Sequence, residues 1–134
     1  MNERSLRVPK RDMAASGIAK ILEIFFGGNT AVDAAVVFDE TGETVDYHTM
    51  LDPFDTKLYA AYCGILFEST RYRMAWLEQA VLQSIEFYTE QHDFLTVPLS
   101  EGFCLTLIVR PGALDESLLD TAAGAVEALY SEFA

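Results

Sequence analysis

Residues 54–79, FDTKLYAAYCGILFESTRYRMAWLEQ, decide how this chain folds. The stretch follows Asp52-Pro53, a helix-start signal, and contains no internal proline. At 100° per residue, with Lys57 set at zero, Ala60, Ala61, Gly64, Glu68, Arg71, Ala75, Glu78 and Gln79 all fall within about 60° of it. Leu58, Tyr59, Tyr62, Cys63, Ile65, Leu66, Phe67, Tyr72, Met74, Trp76 and Leu77 occupy the rest of the circumference. An ordinary surface helix has a narrower apolar arc. This one must be covered from two directions. Its own sheet supplies one cover, and a domain of 134 residues has little left for the other. The pattern therefore predicts a long helix that meets a second subunit.

The flanking segments supply the sheet. Upstream, Asp12–Phe26 predicts a helix, with Ile18, Ile21, Leu22 and Phe25 on one face and Gly27-Gly28-Asn29 as the stop. Ala34–Phe38 is apolar on both parities, as in a strand buried on both faces. The Gly-bearing turn DETGE leads into Thr44–Met50, a strand that alternates more and belongs nearer an edge. Downstream, Val81–Thr89, Asp93–Leu99 and Phe103–Arg110 predict three strands joined by short turns, and FCLTLIV is again apolar on both parities. A last helix, Asp115–Phe133, places Leu118, Leu119, Ala122, Val126 and Leu129 on its core face. The order is α-β-β-α-β-β-β-α. Short hairpins make the five-stranded sheet mainly antiparallel, and the doubly apolar strands call for helices on both faces: an α/β chain of the α+β kind.

Composition excludes several functions. Half the chain (51%) is apolar and 22% is charged, as in one globular domain. The net charge is −12, and four of the nine basic residues (Arg4, Arg7, Lys10, Arg11) lie in the first eleven positions. Residues 1–11 therefore read as a flexible, solvated basic tail ahead of a single domain over 12–134. The acidic remainder repels phosphate backbones, which disfavours nucleic acid as a partner. No apolar run approaches the ~20 residues of a membrane span, and the N-terminus lacks a signal-peptide core, so the expected location is the cytoplasm. Cys63 and Cys104 sit within apolar runs and read as buried packing residues. There is no GxxxxGK[ST], GxGxxG or GxSxG. His48 and His92 are the only histidines and lie in or beside expected strands, with no metal-ligand spacing. No catalytic residue, cofactor or metal is expected. The fifteen Phe and Tyr residues could line a small-molecule pocket but are more often core.

The segments AAVVFDETGETV, LYAAYCGILFESTRYRMAWLEQ, SIEFYTE and DFLTVPLSEGFCLTLIV, in this element order, resemble the Roadblock/dynein-light-chain family over roughly residues 12–133. The likeness is to its bacterial members, which regulate a small Ras-like GTPase in cell polarity and gliding motility. It implies the Roadblock fold and a non-catalytic, dimeric regulator or adaptor. The alternative is an adaptor that binds a paralogous Roadblock GTPase-activating protein and a response-regulator-type polarity protein, without affecting GTP turnover. In the family, subunits pair through the long helix and the third strand, and the paired helices carry the GTPase. By position, the resemblance assigns the dimer contacts to Tyr59, Cys63, Phe67, Met74, Ser84, Glu86 and Tyr88. It assigns the partner platform to Lys57, Gly64, Glu68, Arg71 and Glu78. The partners so implied are a second copy or a Roadblock paralog, a Ras-like GTPase and a polarity scaffold.

Overall fold

Two strands, β1 (Val32–Phe38) and β5 (Cys104–Val109), carry apolar side chains on both faces because both faces are covered. The computed structural model describes residues 7–133, apart from the side chain of Glu101. It runs α1 (Gly17–Phe26), β1, β2 (Thr44–Thr49), α2 (Pro53–Glu78), β3 (Ile85–Tyr88), β4 (Asp93–Pro98), a short 3-10 turn, β5 and α3 (Glu116–Phe133). The strands form one antiparallel sheet in the order β2-β1-β5-β4-β3. The expected element order and sheet are therefore present. β2 lies at an edge, as its alternation implied.

One face of the sheet packs against α1 and α3. Leu22, Phe26, Leu118 and Leu129 close over Val37, Leu105 and Leu107. The other face packs against α2, whose Ala60, Cys63 and Phe67 lie on Val36, Phe38 and Ile108. Parity assigns the strands: in β5, Leu105 and Leu107 point to the first face, and Cys104 and Ile108 to the second. Two hydroxyl pairs are buried here, Thr96 with Thr106 at 2.8 Å and Thr49 with Thr56 at 2.7 Å. Each satisfies both partners, so neither carries the penalty of an unpaired buried hydroxyl.

Local chemistry fixes the turns. Gly42 has φ +84°, a left-handed backbone that glycine adopts without strain, and it closes the β1–β2 hairpin. The Asp39 carboxylate accepts from the Thr41 and Glu43 N–H groups at 2.9 and 3.1 Å, which holds that turn. Two expected boundaries and one core position shift. α1 begins at Gly17 rather than Asp12, because Ser16 is its cap and its Oγ accepts from Ile18 N. β3 is four residues long, since the chain over 79–84 spans from the end of α2 to the sheet edge and pairs with no strand. Leu119 lies at the rim of α3 rather than in the core, where Ala125 sits instead.

The basic tail also differs from expectation in its described part. Lys10 N donates to Thr49 O at 2.8 Å. Arg7 pairs with Asp33 at 2.6 Å and Arg11 with Asp46 at 2.5 Å. Both carboxylates are buried, and a buried carboxylate demands a cation or several donors. Residues 10–16 thus form a strap along β2, Arg7 reaches Asp33 of β1, and Arg4 lies outside the described residues.

Candidate functional site

α2 begins at Asp52, whose side chain accepts from Phe54 N at 2.9 Å and Asp55 N at 3.3 Å, with Pro53 at the first helical position. Such a cap contributes about 1 kcal/mol. The helix ends where Gln79 turns left-handed, φ +53°. Its inward stripe is Thr56, Ala60, Cys63, Gly64 and Phe67. These residues are small at the centre because α2 lies close to β1. A Cβ built on Gly64 would come 2.8 Å from Cε2 of Phe38.

This geometry corrects the assignment of faces. Gly64 was expected on the partner platform, but it faces the protein's own Phe38 and is buried. Cys63 and Phe67 were expected at the dimer contact, but both are buried under α2 against the sheet. Tyr59 packs at the margin of the same cluster, its ring 5.5 Å from that of Phe94. The expectation of apolar surface on two sides of α2 does hold. The second side is Leu58, Tyr62, Ile65, Leu66, Tyr72, Trp76 and Leu77, all exposed, with Trp76 at 78%.

That outward side has a period. Leu58, Tyr62, Ile65, Ser69, Tyr72 and Trp76 are spaced 4-3-4-3-4, the alternation of a coiled-coil seam, with one small residue at its middle. A seam of this kind packs by inserting each side chain among four of a facing helix. Among the described residues of the chain nothing faces it. The polar residues expected as a platform flank the helix. Lys57 Nζ lies 2.9 Å from both carboxylate oxygens of Asp12, and Arg71 Nη2 lies 2.6 Å from Glu68 Oε2. The Asp12 carboxyl is held below its ordinary value by the Tyr47 hydroxyl and by Lys57. Glu78 is exposed, and Met74 is half-buried.

The second element is the edge strand β3. Among the described residues it pairs only with β4. Thr89 N donates to His92 O at 3.0 Å in the turn. By the alternation of an antiparallel ladder, the odd residues of β3 then bond β4 and Glu86 and Tyr88 turn their backbone groups outward. Ile85 and Phe87 pack toward α2, while Glu86 and Tyr88 are exposed and hydrogen-bonded to each other. Ser84 precedes the strand and is exposed. The edge carries no lysine, no proline and no bulge; its shortness and the exposed Glu86 are its protections.

Nucleophilic chemistry has little support. Burial pushes the Cys63 and Cys104 thiols up to about 11, so both stay protonated at neutral pH. His48 is buried in β2, and burial lowers its pKa. His92 lies 3.3 Å from Asp33, with its ring 5.7 Å from that of Tyr59. Among the described residues no group of three or more His, Cys, Asp or Glu side chains could hold a metal, and no helix is long and apolar enough to cross a membrane.

No family model matches the sequence, and no curated protein matches it. Solved structures do. A Roadblock/LC7 domain from Streptomyces avermitilis superposes with TM-score 0.77 at 16% identity, covering 85% of this chain and 95% of that one. MglB of Myxococcus xanthus gives 0.76 at 10% identity, covering 90% and 98%. The gliding protein MglB of Thermus thermophilus gives 0.74 at 18% identity, covering 92% and 96%. The likeness spans nearly the full length of each neighbour, and this chain, with three helices and a five-stranded antiparallel sheet, has the Roadblock/LC7 fold.

Proposed function

We propose that this chain is a dimeric, non-catalytic regulator of a small Ras-like GTPase in bacterial cell polarity or motility. The observation that carries the reading is the unpartnered outward seam of α2, Leu58 to Trp76, together with the open β3 edge. A second copy that adds its β3 antiparallel to Glu86–Tyr88 continues the sheet. It also brings a second α2 alongside the first, so that the two seams cover each other. Tyr59, Met74, Ser84, Glu86 and Tyr88 keep their proposed place at or near that contact. Cys63 and Phe67 do not, because they belong to the core.

The polar flank of the paired helices, with Lys57, Glu68, Arg71 and Glu78, is then the surface offered to the GTPase. The protein supplies position rather than chemistry. The gliding proteins among the structural neighbours support the motility setting, and the sequence resemblance supports the GTPase as the class of target. The chain works in the cytoplasm, where such GTPases are found.

Affinity capture from a native bacterial lysate, run in parallel with a GTP analogue and with GDP, tests the reading. A Ras-like GTPase enriched only with the analogue is the expected result. The capture should be lost when Lys57, Glu68 and Arg71 are replaced together by Ala in a folded protein. Equal recovery of a Roadblock paralog or response-regulator scaffold in both arms refutes regulation and identifies an adaptor.

A further inference from the structure

A cavity of about 420 Å³ lies where the strap, α1 and β2 meet. Its walls include Pro9 and Lys10 at the start of the strap, Ala19, Lys20 and Glu23 of α1, and His48 of β2. That volume falls within the range of small-molecule sites. Two observations set it apart from a gap in packing. The first is His48, which is only 9% exposed. Its Nε2 is buried and has no hydrogen-bond partner among the described residues. Other buried polar groups are satisfied: Asp46 takes Arg11 and Ser16, and the threonine hydroxyls pair with one another. A buried polar atom left unpaired bears the full cost of its desolvation, so a group that completes it binds with that much gain. The second is charge. The chain carries −12 overall, yet Lys10, Arg11 and Lys20 line this cavity against one carboxylate, Glu23. Arg11 is already engaged by Asp46 and the Tyr47 carbonyl. Lys10 and Lys20 are exposed, and among the described residues neither ammonium forms an ion pair.

We propose that this cavity binds a small organic monocarboxylate. Its apolar body lies against Pro9, Ala15 and Ala19, and its carboxylate accepts a hydrogen bond from the His48 imidazole in the field of Lys10 and Lys20. A neutral imidazole keeps one N–H, and a carboxylate only accepts, so the two are complementary. Two unengaged ammoniums against Glu23 leave one positive charge. A monoanion neutralises that charge, whereas a phosphate dianion exceeds it. The residues belong to one chain, and β2 lies at the sheet edge opposite β3. The site therefore depends neither on the proposed dimer nor on a GTPase.

The test follows the imidazole NMR signals of the full-length chain at pH 7. His48 and His92 are the only histidines. His92, beside Asp33 and outside the cavity, is the internal control. Phenylacetate and hexanoate are titrated beside their neutral amides, phenylacetamide and hexanamide. The expected result is a saturable shift of the His48 signals by both acids, with a Kd of about 1 mM or tighter for ligands of this size. His92 should stay unmoved, and the amides should bind at least about tenfold more weakly. A bound carboxylate should also raise the pH at which His48 titrates. Lys10→Gln with Lys20→Gln, both on the surface, should weaken the acids by about tenfold and leave the circular dichroism native. His48→Phe should abolish binding in ligand-observed NMR. If that variant fails to fold, the lysine pair decides. The proposal is overturned by the absence of a saturable His48 shift with either acid up to about 20 mM. Acids and amides of equal affinity, or an unchanged affinity in the lysine variant, overturn it as well.

Discussion

Removing the Trp76 side chain should weaken self-association far more than it weakens the fold. Trp76 is 78% exposed in the single chain, on a turn of α2 that lies beyond the last buried residue, Phe67. An aromatic side chain of this size buries 150–250 Å² when fully covered, so a facing helix would remove about 150 Å² here from water. At about 25 cal/mol per Å² that is about 4 kcal/mol per copy. Truncation at a well-packed interface commonly costs about 2 kcal/mol or more. The proposed contact uses each seam once from either subunit, so Trp76→Ala counts twice in a dimer. Even at about 2 kcal/mol per copy the Kd rises by about 10³-fold. Sedimentation equilibrium gives the shift. Because Trp76 is the only tryptophan, its emission in the wild-type chain should move to the red on dilution through the same Kd. Far-UV circular dichroism of the variant at low concentration should match that of the wild type. A dissociation constant changed less than tenfold, or emission typical of a hydrated indole at every concentration, would refute the assignment of this face to a partner.

Other perturbations test the inner face and the strap. Gly64→Val should destabilise the fold by about 2–3 kcal/mol in urea unfolding, because the added carbons meet the buried Phe38 ring. Asp46→Asn should cost about 2 kcal/mol at neutral pH, below the figure for a fully buried pair since Arg11 is partly hydrated. Burial opposes the charge on Asp46, but the Ser16 and Arg11 hydrogen bonds outweigh it and hold its pKa below 3.8. A carboxyl lowered on folding stabilises above its unfolded value and loses that contribution as pH falls through its folded one. Urea titrations should therefore show the gap between wild type and Asp46→Asn level above about pH 5 and closing below 3.8. Cys63 and Cys104, with thiols near 11, should react with a thiol reagent at pH 7 only as fast as the chain unfolds, measured by mass against denaturant.

The fold was legible where periodicity is strong. β1 and β5 carried apolar residues on both parities, and the sheet buries them on both sides. The two-sided apolarity of α2 was equally clear, but the side that meets the sheet was not. Ala61, Gly64 and Ala75 read as small residues on a stripe where a partner could approach closely, and of these Gly64 is buried while Ala75 is exposed. Small residues do mark close approach, and here the approaching body is β1 of the same chain. The large side chains, Tyr62, Tyr72 and Trp76, were left outside. The 4-3 spacing of Leu58 to Trp76 was present in the sequence and is the signal that separates the two sides. The strap gave no such sign. Arg11 and Asp46 are 35 positions apart, and Arg7 and Asp33 are 26 apart, so no local pattern connects a basic tail to a buried acid.

α2 runs on to Glu78 although Phe67 is its last buried residue. The remaining stretch is about three turns, and isolated helices that short are marginal in water. In a solitary chain those turns should fray, and a facing helix should quench the fraying. Arg71 and Arg73, both exposed, sit inside the stretch. Trypsin should then cut there readily in dilute protein and slowly in concentrated protein, which turns two ordinary cleavage sites into a gauge of how much of the protein is assembled.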